Sequence, residues 1–155
     1  MRIGFGYDIH RFVKGRKLIL GGIEIKYHKG LYGHSDADVL IHSICDALLG
    51  AAGLRDIGYY FPNNDPKWKN APSSIFLEEC KKMLAKKRLK IVNIDSIILL
   101  EEPKINPRIE KMKINISKYL KIKTSQIAIK STTSEGLGFI GKKQGCAAYT
   151  ICLLK

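Results

Sequence analysis

The sequence predicts a single α+β domain over residues 1–155, with a mixed β-sheet and helices packed on one of its faces. The length of 155 residues fits one domain. A composition with 45% hydrophobic and 26% charged residues is typical of globular proteins. Segments of strand-like alternation interleave with segments of helical periodicity, and hairpin-type neighbours also occur. This combination predicts a mixed sheet with helices packed on one face.

The first half of the chain predicts strands, then a helix and a long loop. Residues 2–11 alternate as a strand does, with four apolar side chains on one face: Ile3, Phe5, Tyr7 and Ile9. Residues 17–25 predict a hairpin around two glycines. A helix is expected from about Asp36 to Gly50, with Ser35 as its N-cap. Residues 53–72 are rich in Gly, Pro, Asn and Asp and predict a long loop. Long loops in compact domains often carry functional residues.

The second half predicts two further helices and three strands. An apolar stripe predicts a helix over 74–87. Residues 91–100 indicate a buried strand, and Asn106-Pro107 is typical of a helix start. Residues 125–132 and 146–154 predict strands, joined by a glycine-rich loop.

Charge and cysteine usage narrow the function classes. The 27 basic and 14 acidic residues give a net charge of +13, which fits an anionic partner such as a phosphorylated metabolite or a nucleic acid. The lysines are scattered rather than clustered, which disfavours nucleic acid. The four cysteines have no C-x-x-C spacing and predict buried, reduced thiols. No secretory signal or membrane-length apolar run is seen, so we expect a cytoplasmic protein without a membrane partner.

Two segments carry side chains suited to a metal ion. Asp8 and His10 are two apart in a strand and therefore project to the same side. His42 lies one helical turn from both Asp38 and Asp46, on a polar stripe that contains no lysine. Two imidazoles and one carboxylate suit Zn²⁺ with an open fourth position. Taken separately, each segment also fits an ordinary solvated surface.

Two further segments suit phosphate and polyol binding. The segment STTSEGLGF offers backbone N–H groups to a phosphate, and its Glu135 is a hard oxygen ligand for Mg²⁺ or Mn²⁺. The segment DIGYYFPNND offers hydrogen-bonding groups to a polyol or ribose. Both patterns also fit simple turn chemistry.

These segments together resemble one family, the 2-C-methyl-D-erythritol 2,4-cyclodiphosphate synthases. The resemblance is carried by GYDIHRF, LYGHSDADVLIHSICDALLGAAGLRDIGYYFP, ND-x-x-WK-x-A-x-S, NIDSIILLEEPK and TTSEGLGFIG, in that order. It implies a homotrimer whose sheets pack around a threefold axis, with each active site at a subunit interface. Asn63, Lys142 and Tyr149 depart from the family pattern.

The resemblance also implies roles for individual residues. The implied ligands of Zn²⁺ are Asp8, His10 and His42, and Glu135 is the implied ligand of a second ion, Mg²⁺ or Mn²⁺. His34 and Thr133 correspond to residues that stabilise the transition state. The implied substrate contacts are Ser35, Asp56, Gly58, Phe61, Asp65, Lys104, Thr132, Phe139 and Lys142. Residues 100–106 correspond to a cytidine pocket supplied by the neighbouring subunit.

The implied reaction is an intramolecular phosphoryl transfer in the non-mevalonate isoprenoid pathway. The 2-phosphate of 4-diphosphocytidyl-2-C-methyl-D-erythritol 2-phosphate attacks the β-phosphate, CMP leaves, and the cyclic diphosphate forms. This chemistry needs positioning and charge neutralisation rather than a protein nucleophile. Two alternatives remain at this stage: a zinc-dependent phosphohydrolase that uses the same ligands, and a basic nucleic-acid-binding module.

Overall fold

A five-stranded mixed sheet forms the frame of the molecule. The structure, a computed structural model, describes residues 1–155. The strands are β1 (Arg2–Val13), β4 (Gly30–Leu31), β5 (Ile91–Leu99), β6 (Ile127–Thr132) and β7 (Gly145–Leu154), and they lie in the order β4-β1-β7-β5-β6. Only β5 and β6 are parallel. The predicted hairpin forms a separate pair, β2 (Leu18–Leu20) and β3 (Ile23–Ile25).

The helices cover one face of this sheet, so the predicted α+β class is confirmed. They are α1 (Val39–Ala51), α2 (Ile57–Tyr60), α3 (Ser74–Lys86), α4 (Ile109–Leu120) and α5 (Gly138–Gly141), with 3₁₀ turns at 66–68, 106–108 and 124–126. α1 packs on β1 and β7, and α3 packs on α1. None of the helices is both long and apolar enough to cross a bilayer.

Two glycines on β1 allow α1 to approach the sheet closely. A Cβ atom at Gly4 would overlap the carbonyl oxygen of Ala47, and one at Gly6 would overlap the carbonyl oxygen of Ser43. α1 is consequently buried on almost all sides. Its close packing on β1 determines how near His42 on the helix lies to Asp8 and His10 on the strand.

The opposite face of the sheet is apolar and exposed. The alternation along β1 places Ile3 and Phe5 on this face, where they are 74% and 61% exposed. Tyr149 and Ile151 on β7 extend the same surface, and the rings of Tyr7 and Tyr149 lie 4.8 Å apart. The helices therefore cover the glycine face of β1, and the large apolar side chains lie uncovered in the single chain.

Three expected helix and loop boundaries are wrong. α1 begins at Val39 rather than near Asp36, because Asp38 rather than Ser35 accepts the cap hydrogen bond from the Ile41 N–H. The expected loop over 53–72 contains α2 and a 3₁₀ turn. Asn106 does not cap α4, since a 3₁₀ turn precedes that helix and the Asn106 side chain accepts from Ser131 Oγ instead.

Candidate metal and phosphate site

The two metal-suited segments meet in the folded chain. Asp8 Oδ2 lies 2.9 Å from His10 Nε2 and 2.9 Å from His42 Nδ1, and the two imidazole nitrogens are 3.2 Å apart. The three ligand atoms all lie within 4.8 Å of one another. Asp8 and His10 are two residues apart on β1, so their side chains project from the same face of the strand. α1 packs on that face, and His42 on α1 lies next to them. The sequence prediction that these residues come together is confirmed.

The His10 ring is held in the orientation that a ligand needs. Its Nδ1 lies 2.7 Å from the backbone carbonyl oxygen of Tyr32. A carbonyl oxygen only accepts hydrogen bonds, so Nδ1 carries the proton and Nε2 presents its lone pair to the cluster. This arrangement of a backbone acceptor behind the ring is common among metal-binding histidines.

The three groups also perturb one another electrostatically. Burial alone would raise the pKa of the Asp8 carboxyl, but hydrogen bonds to His10 and His42 and their charges hold it well below its usual range. Burial would lower the pKa of His10, but the Asp8 hydrogen bond and charge raise it overall. The cluster therefore keeps a full carboxylate charge and attracts a cation, whether a proton or a metal ion.

The donor set fits a zinc-type ion by its chemistry. Two imidazole nitrogens and one carboxylate oxygen are borderline ligands of the kind that Zn²⁺ accepts, and three protein ligands leave one position open. Asp38 and Asp46, the other acids on the predicted polar stripe, do not join the cluster. Asp38 accepts the N–H groups of Gly21, Gly22 and Ile41, and Asp46 accepts that of Ile57.

A cavity of about 160 Å³ opens directly over this cluster. Four of the expected catalytic and substrate-binding residues line it: His34, Ser35, Gly58 and Phe61. Asn63, Trp68 and Phe76 also line it, and the Phe61 ring stacks on Phe76 with centroids 4.5 Å apart. The cavity thus combines a polar, metal-suited floor with an apolar aromatic wall, as small-molecule sites commonly do.

Hydrogen bonds to Arg16 and to the backbone of Asp65 hold the loop that contains His34 and Ser35. The guanidinium of Arg16 donates to the carbonyl oxygens of Gly33 at 3.0 Å and Ser35 at 2.6 Å. The His34 ring contacts the carbonyl oxygen of Asp65 through Nε2, at 3.1 Å. A carbonyl can only accept, so this nitrogen carries the proton. Arg16 was not anticipated from the sequence, because its partners are backbone atoms that leave no side-chain pattern.

A second, separate cavity of about 190 Å³ gathers other expected residues. Lys104, Thr132 and Thr133 line it, together with four other residues of the predicted segment 100–106: Leu100, Glu101, Ile105 and Asn106. Glu101 anchors the adjacent loop, since its Oε1 accepts from the Ser134 N–H at 2.9 Å and the Ser134 hydroxyl at 3.0 Å. These bonds, with that from the Gly136 N–H, lower the pKa of the Glu101 carboxyl. Thr133 Oγ1 donates to Glu135 Oε1 at 2.6 Å.

The remaining expected residues lie outside both cavity linings. Asp56 precedes α2 and Asp65 caps the following 3₁₀ turn through the Lys67 N–H. Phe139 is exposed on α5, and Lys142 follows that helix. In one chain, these side chains and Glu135 are not part of the Asp8, His10 and His42 cluster.

A larger groove of about 840 Å³ lies between the ends of α3 and α4. It is lined by apolar side chains and by cations such as Lys81, Arg88 and Lys121. Cations at helix C-termini balance the helix dipole. The groove contains no group of metal-ligating side chains, so it is not the candidate site.

Comparisons with known proteins give a consistent result over the whole chain. The model of the YgbB family matches residues 1–155. A 2-C-methyl-D-erythritol 2,4-cyclodiphosphate synthase of Caldicellulosiruptor bescii is 53% identical over 153 residues, covering 99% of this chain and 98% of the relative. The synthase of Francisella tularensis subsp. novicida is 53% identical over 154 residues, covering 99% of this chain and 97% of that protein.

Solved structures agree with this result in fold. A 2C-methyl-D-erythritol-2,4-cyclodiphosphate synthase in a CDP-bound form superposes with a TM-score of 0.91 at 34% identity, covering 99% of this chain and all of that one. The bifunctional IspDF of Campylobacter jejuni gives a TM-score of 0.90 at 42% identity, and this chain spans 42% of its length. The chain therefore belongs to the YgbB family, the family of the 2-C-methyl-D-erythritol 2,4-cyclodiphosphate synthases.

Proposed function

We propose that this protein converts 4-diphosphocytidyl-2-C-methyl-D-erythritol 2-phosphate to 2-C-methyl-D-erythritol 2,4-cyclodiphosphate and CMP. The observation that carries the proposal is the convergence of Asp8, His10 and His42 beneath a small cavity, in a chain that matches the family over its full length. The product then enters isoprenoid precursor synthesis. Four buried, unpaired cysteines fit the reducing cytoplasm as the site of this reaction.

The two halves of the expected site lie in different cavities of one chain. The metal cluster, His34 and Ser35 line the first, while Lys104, Thr132 and Thr133 line the second. A substrate with a polyol phosphate at one end and a cytidine at the other requires contacts from both cavities. We infer that the second cavity of one subunit faces the first cavity of its neighbour. A cyclic trimer forms three such composite sites.

The exposed face of the sheet supports this assembly. Ile3, Phe5, Tyr7, Tyr149 and Ile151 form a contiguous apolar surface on β1 and β7. A monomer rarely leaves such a surface in water, because burying it is favourable. Packing of three sheets around a common axis covers it.

The chain's own residues orient the reactants in the proposed mechanism. An oxygen of the substrate's 2-phosphate attacks the β-phosphorus, and the bond from that phosphorus to the bridging oxygen breaks as CMP leaves. No protein nucleophile is required, since the attacking oxygen is already anionic. We assign His34 and Thr133 the role of stabilising charge at phosphorus. His34 suits this role because the Asp65 carbonyl holds its ring and Arg16 holds the backbone carbonyls of Gly33 and Ser35 on either side of it. The aromatic wall of Phe61, Trp68 and Phe76 excludes water from the polyol.

Metal ions supply charge neutralisation in this scheme. Asp8, His10 and His42 would hold Zn²⁺, and Glu135 would hold Mg²⁺ or Mn²⁺; when bound, the ions would supply Lewis-acid stabilisation of phosphate charge. The Glu135 carboxylate suits a hard ion, because it is exposed and only Oε1 is engaged by a side chain, that of Thr133. Ser35, Asp56, Gly58, Asp65, Phe139 and Lys142 complete the proposed set of substrate contacts.

A product assay tests the reaction class directly. The protein is incubated with the cytidyl substrate and Mg²⁺, with and without a zinc chelator, and products are followed by phosphorus NMR. We expect cyclic diphosphate and CMP in equal amounts, both abolished by the chelator. CMP with a linear product would instead identify the zinc-dependent phosphohydrolase that shares this ligand set.

Mixed trimers test whether sites are shared between subunits. Glu135→Gln and His42→Ala should each lose at least about a hundredfold in turnover with the fold intact. When the two variants are unfolded, mixed in equal amounts and refolded, about a quarter of the sites should combine an intact metal half with an intact Glu135. Activity should therefore return to about a quarter of the wild-type level. Absence of complementation would assign both halves to one chain.

A further inference from the structure

The imidazole of His42 is held from behind by a buried serine. Its Nδ1 faces Asp8, and its Nε2 points away from the cluster to Ser73 Oγ at 2.9 Å. Ser35 Oγ lies further from the same nitrogen, at 3.2 Å. Ser73 has no solvent exposure, so water does not compete for its hydroxyl. The state of that hydroxyl therefore determines what His42 can present to a metal.

The Ser73 hydroxyl proton is committed to a carboxylate. Ser73 Oγ donates to Asp36 Oδ1, and the Ser73 N–H donates to Asp36 Oδ2 at 2.9 Å. The backbone around Asp36 is itself fixed, because its N–H donates to the Ala71 carbonyl at 3.1 Å. An ionised carboxylate only accepts hydrogen bonds, so Ser73 has no proton left for His42.

The proton on His42 Nε2 follows from this chain of bonds. If Nε2 were bare, its lone pair would face a lone pair of Ser73 Oγ at 2.9 Å, which is repulsive. With a proton on Nε2, the ring donates to Ser73, and Nδ1 is the nitrogen that a metal ion can occupy in place of the hydrogen bond to Asp8. Ser35 Oγ accepts the Ala37 N–H at 3.2 Å and keeps its own proton, but it lies 3.2 Å from Nε2, so the shorter 2.9 Å contact with Ser73 decides the assignment.

We propose that Asp36 and Ser73 are positioning residues that fix the tautomer and orientation of His42, so that it binds the metal through Nδ1. This inference rests on the proposed metal site but names two residues that lie behind the ligand. Such outer partners raise ligand basicity and lower the freedom of the ring, and their loss typically costs ten- to a hundredfold in metal affinity. Asp36 is thus the far end of a hydrogen-bond chain that runs from His42 through Ser73.

Zinc affinity, measured by competition with a chromophoric chelator, is the first test. Ser73→Ala removes the acceptor of the Nε2 proton, and Asp36→Asn offers an amide N–H₂ that can donate to Ser73 and turn its hydroxyl towards Nε2. Both variants should bind zinc about ten- to a hundredfold more weakly than wild type. Ser73→Thr, which retains the hydroxyl, should restore most of the affinity.

Matched variants elsewhere control for general effects. Ser117→Ala removes a buried hydroxyl that donates to the Ile114 carbonyl on α4, and Asp95→Asn removes a carboxylate paired with Lys130. Both should keep wild-type zinc affinity. Circular dichroism establishes that each variant is folded before its affinity is compared.

A second measurement does not depend on zinc binding or on activity. In ¹H–¹⁵N NMR of histidine side chains, His42 should show a slowly exchanging Nε2–H, assigned by its loss in His42→Ala. In Ser73→Ala this proton should exchange much faster. A bare Nε2 in the wild type, or variants with unchanged zinc affinity and unchanged Nε2–H exchange, would overturn the inference. A wild type that binds no zinc would refute the metal part of the proposed function, and the NMR result would still decide the role of Ser73.

Discussion

At the residue scale, one carboxylate contacts both of the other candidate metal ligands. Asp8 Oδ2 contacts both imidazoles, and its lowered pKa keeps it ionised across the physiological range. The same charge raises the pKa of His10 above its ordinary value of 6.5. A metal ion entering the cluster must therefore displace a proton that His10 holds more tightly than a free imidazole would.

Zinc affinity should consequently depend on pH in one direction. Protons compete with zinc for His10 below its raised pKa, so the apparent affinity should fall by about tenfold for each pH unit and each proton displaced. Asp8 should add nothing to this slope, because its pKa lies below the range tested. Chelator competition between about pH 5 and 8 measures the effect. A flat profile would show that no histidine proton is displaced and would contradict His10 as a ligand.

At the element scale, the position of α1 depends on the bare backbone of β1. Gly4 and Gly6 face the helix, and the carbonyl oxygens of α1 occupy the space that side chains would take. The helix thereby lies close enough for His42 to meet Asp8 and His10 on the strand. Asp38 caps the helix and also accepts the N–H groups of Gly21 and Gly22, which joins the β2–β3 turn to the helix start.

Gly6→Ala should therefore damage both stability and metal binding. The added Cβ overlaps the backbone of Ser43, so α1 must move, at a cost of about 1–3 kcal/mol or more in the free energy of unfolding. Thermal denaturation and zinc titration measure the two effects.

Gly50→Ala is the matched control within the same packing unit. No atom lies within 4 Å of a Cβ at Gly50, and alanine favours a helix over glycine by about 0.5–1 kcal/mol. This variant should be as stable as the wild type or slightly more so. Equal losses in the two variants would remove the close-packing explanation.

At the scale of the whole molecule, the proposed trimer would account for both the uncovered sheet face and the two separate cavities. Pairing across β1 and β7 presents Phe5 and Tyr149 side by side, with ring centroids 6.2 Å apart. On the helical side, Ile114 is the one large apolar residue of α4 that is exposed. In the proposed trimer, burial of the sheet face would also bring the proposed nucleotide cavity of one subunit towards the Asp8, His10 and His42 cluster of another.

Light scattering tests the assembly. The wild type should have three times the chain mass of 17.4 kDa. Phe5→Glu, which introduces a charge into the apolar face, should shift the mass towards the monomer and lower activity. Ile114→Glu introduces the same charge at a similarly exposed position and should remain a trimer. A trimeric, fully active Phe5→Glu variant would exclude this face from the interface.

Much of the fold was predictable because local patterns are strong in this chain. Alternation placed β1, and apolar periodicity placed α3 and much of α4. Helix starts were predicted less well, because several residues near 35–38 are suitable caps and only packing selects Asp38. The sequence predicted two imidazoles and one carboxylate as metal ligands. It did so from the spacing of Asp8 and His10 on a strand and from the position of His42 on a polar helix stripe. Their proximity depends on the packing of α1 on β1.

The sequence by itself determined the types of the longer elements, the candidate metal ligands and, through the resemblance, the family. Those features depend on residue identity and on spacings of a few residues, which can be read from the sequence alone. The tertiary structure decided which atoms face one another. It separated Asp38 and Asp46 from the metal cluster, placed Arg16 on the carbonyls beside His34, and set Asp36 and Ser73 behind His42. These relations join residues distant in sequence through backbone atoms and single hydroxyls, and only packing brings them within hydrogen-bond distance.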